Sequence, residues 1–267
     1  AVSSSANLDE PTLSFRTEVL FRRECSITPT VFVASLRRNG RRDAVVDETR
    51  DQPRITAGDI QLDFELGTSP IEPALLEESL TLAEVAADIV EPIRTHASRL
   101  ILTSRYHYGT PRDQIVRLHH HAHAALTEFT PVVAAIWPEA RFLTPVSQLS
   151  LLLNQARHNS QLMWRTCVHV RGFALTGDNE GMLLFDSVGL NGFGLADVQI
   201  IAPTDKQEAA RNTLHLITER FYSSGCDLPN GTEYAAGDGN VWRVTYSRSA
   251  FAPDREVVQL AAKGSSA

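Results

Sequence analysis

The amino-acid sequence predicts an α+β protein, with a mixed, largely antiparallel sheet and helices packed on one face. Three observations support this class. Short segments with an apolar residue at every second position, the period of a half-buried strand, recur along the chain. Longer segments carry apolar residues three or four positions apart, the period of an amphipathic helix. Both kinds occur in residues 12–145 and again in 146–260, so two similar halves and one continuous domain both fit.

Composition limits the classes of function. The chain has 267 residues, of which 43% are hydrophobic and 21% charged, as in ordinary globular proteins. No apolar run approaches the length of about eighteen residues that a membrane helix needs, so we expect a soluble chain without membrane contact. The net charge of −7 makes nucleic acid an unfavourable partner, because such binding depends on Lys and Arg that neutralise phosphates. Residues 1–11 are small and polar and are expected to be disordered.

The first half is predicted to open with strands. Alternating side chains mark two of them, and Asn-Gly favours the positive φ angles of a tight hairpin turn between two others. In chain order the elements are a strand at 13–21, a strand at 30–38, the turn Asn39-Gly40, a return strand at 41–46, a loop at 47–57 and a strand at 60–66.

Helices and buried strands complete the first half. Thr81 and Glu84 fit a capping box, and Thr110-Pro111 fits an N-cap followed by proline at the first helical position. Strands without polar alternation are expected to be buried on both faces. The elements are a helix at 82–95, a central strand at 100–102, a helix at 110–129 and a buried strand at 132–137.

The second half repeats the mixture of strands and helices. Thr204 and Gln207 fit a second capping box, and Gly225 is placed to end that helix. The elements are a helix at 145–157, strands at 164–173 and 181–188, a glycine-rich loop at 189–194, a strand at 198–201, a helix at 204–225, a hairpin of 233–236 with 241–247, and a loose tail beyond residue 260.

A run of histidines is the first candidate for chemistry. His119 and His123 lie four apart on the predicted helix, the spacing that places two zinc ligands on one face. They fall on the shoulder of the apolar stripe, and Ala122 stands where a metalloprotease would have its glutamate. Boundary or solvent-facing histidines are therefore favoured over a metal site, and no metal or other cofactor is predicted.

Arginines crowd the predicted hairpin. Guanidinium groups that flank one tight turn repel each other, so such a cluster favours an anion or an acidic protein partner. The alternative is a solvated hairpin tip. The predicted anion- or partner-binding residues are Arg37, Arg38, Arg41 and Arg42.

Other catalytic motifs are absent from the sequence. It contains no GxSxG turn, and the glycines at 189–194 lead into a predicted strand, whereas a phosphate loop leads into a helix. The three cysteines form no CxxC pair, which favours reduced thiols in the cytoplasm over disulfides or structural zinc. Catalytic residues cannot be assigned from these patterns.

Five short segments of the sequence show a family resemblance: Pro70–Pro73, His96–Leu102, Ala134–Pro138, Asp186–Leu190 and Gly194–Val198. In their order and spacing, the chain from about 30 to 247 resembles the bacterial family named domain of unknown function 4261, although that pattern favours proline at Ala196 and lacks the histidine run. The resemblance implies a mixed α/β chain and no established catalytic residues.

Two functions from different classes remain open. The first is a non-enzymatic binding or protein-interaction module of a bacterial cytoplasm, with an unknown protein or a small anion as its partner. The second is a metal-dependent hydrolase that uses His119 and His123. Apolar stripes, caps and turns account for most of the patterned residues, which favours the first.

Overall fold

The computed structural model of the chain describes residues 12–49, 53–83, 85–129, 131–149, 151, 154, 160–235, 241–251 and 253–262. The described elements confirm the α+β class. The helices whose bounds it gives are α1 Pro29–Arg38, α2 Pro73–Leu82, α3 Ala87–Arg94, α4 Arg112–Leu126 and α5 Gln207–Ser224. The strands are β1 Thr12–Phe21, β2 Val45–Asp47, β3 Arg54–Ala57, β4 Ile60–Gly67, β5 Ser98–His107, β6 Val132–Trp137, β7 Phe142–Pro145, β8 His169–Ala174, β9 Met182–Val188, β10 Asp197–Pro203, β11 Glu233–Ala235, β12 Val241–Arg248 and β13 Glu256–Ala262.

The strands form two sheets. The first has the order β2-β3-β4-β5-β1-β6-β7 and is antiparallel throughout. The second has the order β11-β12-β13-β10-β9-β8 and contains one parallel pair, β10 with β13. The edge strands β7 and β8 approach each other, since the rings of Phe142 and His169 lie 5.2 Å apart.

Helices cover both faces of the first sheet. One apolar cluster joins α1, α4 and α5 to residues of both sheets, so the two halves share this core. A smaller cluster packs α2 and α3 against the other face, where Leu20 of β1 points away from its neighbour Val19. The prediction placed helices on one face of the sheet only, whereas the structure has helices on both faces of the first sheet.

The two halves contain the same succession of elements. In the first, β1, α1 and the antiparallel strands β2-β3-β4 follow one another, and β4 runs parallel to β1 because both pair antiparallel with β5. In the second, β10, α5 and β11-β12-β13 follow one another, and β13 pairs directly with β10 in parallel. The halves differ in that β5 is inserted between the first and last strands of the unit.

The predicted hairpin at 30–46 is wrong, because residues 29–38 form helix α1. Thr28 caps this helix by accepting a hydrogen bond from the Val31 amide, and Pro29 occupies its first position. Asn39 ends it by donating its side-chain amide to the Ser35 carbonyl. Gly40 follows with φ 111°, so Asn-Gly serves here as a helix end. The tight two-residue hairpin turn lies instead at Gly58-Asp59, between β3 and β4.

Several other boundaries differ from the prediction. The expected helix at 82–95 is split, since α2 ends at Leu82 and α3 begins at Ala87; Glu84 lies outside the described residues. Strand β3 interrupts the loop expected at 47–57. Neither Thr110 nor Thr204 caps a helix through its side chain, whereas Gly225 ends α5 as predicted, with φ 74°. Much of 145–157, the segment 1–11 and the end of the tail lie outside the described residues.

Several other strands agree with the sequence patterns, whereas β7 and β13 were not predicted, and the strand predicted at 164–173 begins only at His169 because residues 164–166 belong to a 3-10 helix. Strand β6 is buried at every position, and β1, β4, β5, β9, β10 and the β11–β12 pair lie where alternation or apolar runs place them. Within the described ranges, no helix combines the length and the apolar character needed to cross a membrane.

We expect Gly189→Ala to lower the free energy of unfolding by about 3 kcal/mol. Gly189 has φ 124°, and a Cβ there would lie 2.7 Å from the Cys167 carbonyl oxygen and 2.9 Å from Ala140 Cβ. Gly231→Ala is the matched control, because Gly231 has φ 80° but no atom within 4 Å of its Cβ position, so only backbone strain of about 1 kcal/mol is added. Urea unfolding measures both, and equal losses would contradict the close contact at Gly189.

Candidate functional site

The four histidines of α4 point to different parts of the molecule. His119 and His123 face the first sheet and are fully buried, and His120 is 5% exposed, so the predicted boundary position is wrong. His120 pairs through Nε2 with Thr166 Oγ1 at 2.8 Å, in the second half of the chain. The His121 ring lies against Gly40 at the end of α1.

A chain of hydrogen bonds connects His119 and His123 to the sheet. His119 Nδ1 lies 2.8 Å from Thr17 Oγ1, His119 Nε2 lies 2.7 Å from Ser104 Oγ, and His123 Nε2 lies 3.1 Å from Thr17 Oγ1. His123 Nδ1 is buried and has no hydrogen-bond partner in the described part of the chain. Suppose that His123 Nε2–H donates to Thr17, that Thr17 donates to His119 Nδ1, and that His119 Nε2–H donates to Ser104. His123 Nδ1 then carries no hydrogen, and only its lone pair is without a partner. We favour this direction because the reverse leaves a buried N–H without an acceptor.

Burial keeps both imidazoles neutral. Burial, together with a smaller effect of the neighbouring histidine, lowers the pKa of His119 and of His123 to about 3. A hydroxyl paired with an imidazole is the arrangement that activates serine nucleophiles, but Ser104, Thr17 and His119 all have no exposed surface. Nowhere in the described ranges do three His, Cys, Asp or Glu side chains group as metal ligands would. The cluster therefore holds α4 on the sheet.

The predicted arginine site is dispersed around the end of α1. Arg37 Nε donates to the Ala44 carbonyl at 2.7 Å, Arg38 pairs with Glu128 at 2.8 Å, and Arg41 pairs with Asp43 at 2.8 Å. Three of the four guanidinium groups are thus held by acceptors of the same chain. Arg42 is exposed and forms no ion pair with another described residue. Binding of an anion or a partner at these arginines stays a prediction.

Glu128 is the acceptor that organises this region. It accepts hydrogen bonds from Ser35, Arg38 and Asn39, which together lower its pKa to about 2. This carboxylate links the end of α1 to the end of α4. It also neutralises part of the positive charge on which the predicted binding site was based.

A network of buried ion pairs connects strands β8, β9 and β10 of the second sheet. Arg171 of β8 donates to both oxygens of Asp186 in β9, at 2.9 and 2.6 Å. Arg255 donates to Asp186 at 3.1 Å and to Asp197 of β10 at 2.6 Å. Both aspartates have no exposed surface, and burial raises the pKa of Asp197 to about 6 although Arg255 opposes the rise.

The network continues to the first half through α2. Glu78 lies 3.7 Å from Arg171 and 3.3 Å from Arg141. Arg141 is the only non-glycine residue of the described ranges with positive φ, at 52°. Arginines and acids alternate along the whole path, so each charge is compensated within the protein. This arrangement explains fold specificity better than ligand binding.

A cleft lies where the start of α4 meets the end of α5. It consists of two chambers that share Pro111, Arg112 and Ser223 as walls. The first chamber has a volume of about 340 Å³, and the second has about 320 Å³. Tyr106, Tyr108, Thr110 and Phe193 are prominent in the first, and Asp113, Trp164, Glu219 and Tyr222 in the second.

Arg112 separates the two chambers. Its Nη1 donates to the Tyr222 carbonyl at 3.0 Å, in the last turn of α5, and its guanidinium lies over Gly225. Its Nε is buried without an acceptor among the residues that the structure describes. Asp113 accepts a hydrogen bond from the Tyr222 hydroxyl at 2.9 Å, and within the described chain no carboxylate forms an ion pair with Arg112. Arg112 is thus a half-buried cation with no carboxylate at ion-pair distance in the described chain, although its charge acts on the more distant Asp227, whose pKa it lowers against the larger rise caused by burial.

Sequence patterns gave no indication of this cleft. Arg112 stands alone in the sequence at the start of a helix, and its partner Tyr222 is separated from it by 110 positions. Trp164, which is 2% exposed, has a buried indole N–H without an acceptor among the described residues.

No protein-family model, curated protein or solved structure matches the chain. The resemblance to domain of unknown function 4261 therefore stays a prediction.

We expect His123→Phe to make the stability less sensitive to acid. A histidine with a lowered pKa in the folded state takes up its proton on unfolding, so its stabilising effect is complete above pH 6.5 and is lost toward pH 3. Between pH 6 and 4, the wild type should lose about 1.4 kcal/mol per pH unit more than the variant. Asp197 acts in the opposite sense, because its pKa is raised, but equally in both proteins. Parallel slopes in urea unfolding would contradict the buried neutral ring.

We expect Asp186→Asn to destabilise the fold by about 3 to 5 kcal/mol, because Arg171 and Arg255 lose a shared buried counter-charge. Asp63→Asn is the matched control. Asp63 also pairs with an arginine, Arg105 at 2.6 Å, but that arginine is 59% exposed, so the loss should stay below about 1 kcal/mol. Thermal and urea unfolding measure both, and similar losses would show that the network contributes no more than a surface pair.

Proposed function

We propose that the chain is a non-enzymatic binding module that holds a small anionic ligand in the cleft around Arg112. The observation that carries the proposal is the Arg112 guanidinium, which is half-buried, lies between two chambers and has no carboxylate partner in the described chain. We place this module in the cytoplasm, in keeping with the three free cysteines Cys25, Cys167 and Cys226.

Desolvation supports this use of Arg112. A cation that is partly removed from water loses hydration energy, and proteins usually restore that energy with a carboxylate or a phosphate. Elsewhere in this chain, arginines with little exposure have such partners, as Arg171 and Arg255 do. A ligand carboxylate or phosphate at Arg112 would supply the missing counter-charge.

The surroundings of Arg112 favour an anion in the first chamber. Pro111 precedes α4 without a side-chain cap, so the first amides of α4 add positive potential to that of the guanidinium. Hydroxyl groups of Thr110 and Ser223 line the same chamber and can donate hydrogen bonds, whereas the Ser224 hydroxyl already donates to the Cys226 carbonyl. Tyr108, which is 69% exposed, offers an aromatic surface at its mouth.

The arrangement of His119 and His123 does not favour the alternative, a metal-dependent hydrolase. Both of the His119 ring nitrogens and one of the His123 ring nitrogens have hydroxyl partners, and neither ring has exposed surface. A substrate would have to enter the core between α4 and the first sheet to reach them.

We expect inorganic phosphate or valerate to stabilise the protein in thermal unfolding, relative to sodium chloride of equal ionic strength. At a ligand concentration one hundred times the Kd, the gain is about 2.7 kcal/mol. In Arg112→Gln this gain should disappear. Because Arg112 also holds Tyr222, the variant should be less stable, so the ligand-dependent change is the quantity to compare.

The matched control is Arg117→Gln, since Arg117 belongs to the same helix but lines neither chamber. It should keep the full gain. Equal gains in both variants, or no gain from either anion in the wild type, would overturn the proposal.

A further inference from the structure

Tyr222 contacts two oppositely charged residues at the start of α4. Its carbonyl accepts a hydrogen bond from Arg112 Nη1 at 3.0 Å, and its hydroxyl donates to Asp113 Oδ1 at 2.9 Å. Arg112 and Asp113 are consecutive in the sequence and both line the second chamber, yet no ion pair connects them. The two ends of one tyrosine therefore hold a cation and a carboxylate apart.

Aromatic packing fixes the position of the Tyr222 hydroxyl. Tyr222 is 5% exposed, and its ring lies edge-on to Phe193 at 5.4 Å, while Phe193 stacks on Phe15 of β1 at 4.8 Å. A ring enclosed in this way cannot follow a carboxylate that moves. Burial raises the pKa of Tyr222 well above its usual value and Asp113 adds to the rise, so the hydroxyl keeps its proton and acts as the donor.

Asp113 depends on this single donor. Among the described residues, the Tyr222 hydroxyl is the only group that donates to the Asp113 carboxylate, which is partly buried. A partly buried carboxylate that loses its donor gains most by pairing with a nearby cation. Arg112 is the cation that lines the same chamber, and Arg117, one helical turn later, is the alternative.

A second carboxylate near Arg112 is also held by another donor. Both oxygens of Asp227 lie 3.2 Å from the amide nitrogen of Ala196. Asp113 and Asp227 are thus each bonded to a group other than the guanidinium, which leaves Arg112 accessible to an anion from outside.

We infer that Tyr222 is a positioning residue of the anion site. Its hydroxyl keeps Asp113 away from the Arg112 guanidinium, and its carbonyl keeps that guanidinium at the end of α5. The partner of Arg112 is then an external anion and not a carboxylate of the same chain. This inference rests on the proposed function, because it names the group that keeps the proposed anion site open.

Tyr222→Phe removes only the hydroxyl oxygen and keeps the ring and the carbonyl that Arg112 contacts. In calorimetric titrations with inorganic phosphate, and separately with valerate, we expect this variant to bind at least about tenfold more weakly than the wild type, because the released Asp113 occupies Arg112. Tyr246→Phe is the matched control. The Tyr246 hydroxyl donates to the Leu228 carbonyl at 3.1 Å and lines neither chamber, so this variant should bind both anions as the wild type does.

A double-mutant cycle separates the release of Asp113 from a general loss of structure. Asp113→Asn should restore about tenfold of phosphate affinity to Tyr222→Phe, but should change the wild type by only about twofold. Glu219→Gln removes the same charge from the same chamber without removing an acceptor of Tyr222, so its effect should be equal in both backgrounds. A purely structural role of Tyr222 would not be reversed by a substitution at Asp113.

The outcomes distinguish the two proposals. If the wild type and Tyr222→Phe bind the anions equally well, the positioning inference fails and the anion site stands, as expected if the released Asp113 pairs with Arg117. The inference also fails if Asp113→Asn does not restore binding, or if Glu219→Gln restores it equally. If the wild type binds neither anion, or if Arg112→Gln binds them as the wild type does, both proposals fail.

Discussion

The attachment of α4 to the first sheet is the interaction on which the cleft depends. His119 and His123 are buried as neutral rings, and they lose less energy there because Thr17 and Ser104 provide hydrogen-bond partners on two adjacent strands. A shift of the helix by one residue would separate these partners and leave several polar atoms unpaired. The same position of α4 brings Arg112, at its first turn, to the last turn of α5. The polar core thus places the cation of the cleft.

Elements stabilised by their own local pattern could be predicted from the sequence. Alternation identified β1 and β4, the apolar run identified β6, and Gly225 identified the end of α5. Helix α1 was missed because Asn39-Gly40 fits two structures equally well by itself. The backbone angles that suit a hairpin turn also suit a helix end. The deciding contacts, between Asn39 and Glu128 and between Gly40 and His121, come from a helix about ninety residues later.

The candidate site could not be predicted, because its defining property is a relation between distant residues. The four-residue spacing of His119 and His123 can be read from the sequence. Their burial depends on Thr17, which is 102 positions from His119. The arginines near residue 40 predicted a binding site because four of them lie close together in the sequence. In the structure, Ala44, Asp43 and Glu128 accept hydrogen bonds or form ion pairs with three of them. Arg112 has no such feature in the sequence, and only the folded arrangement shows that it is half-buried without an ion-pair partner among the described residues.

The contrast between matched and unmatched arginines bears directly on function. Arg171 and Arg255 belong to a network in which each cation meets a carboxylate, and such a network serves the fold without any outside group. Arg112 has a carboxylate beside it in sequence, but Asp113 accepts the Tyr222 hydroxyl instead. Stability alone would favour pairing Arg112 with that acid. A cation left half-buried between two chambers is better explained by a partner that arrives from outside, because the energy lost in desolvating it is regained on binding.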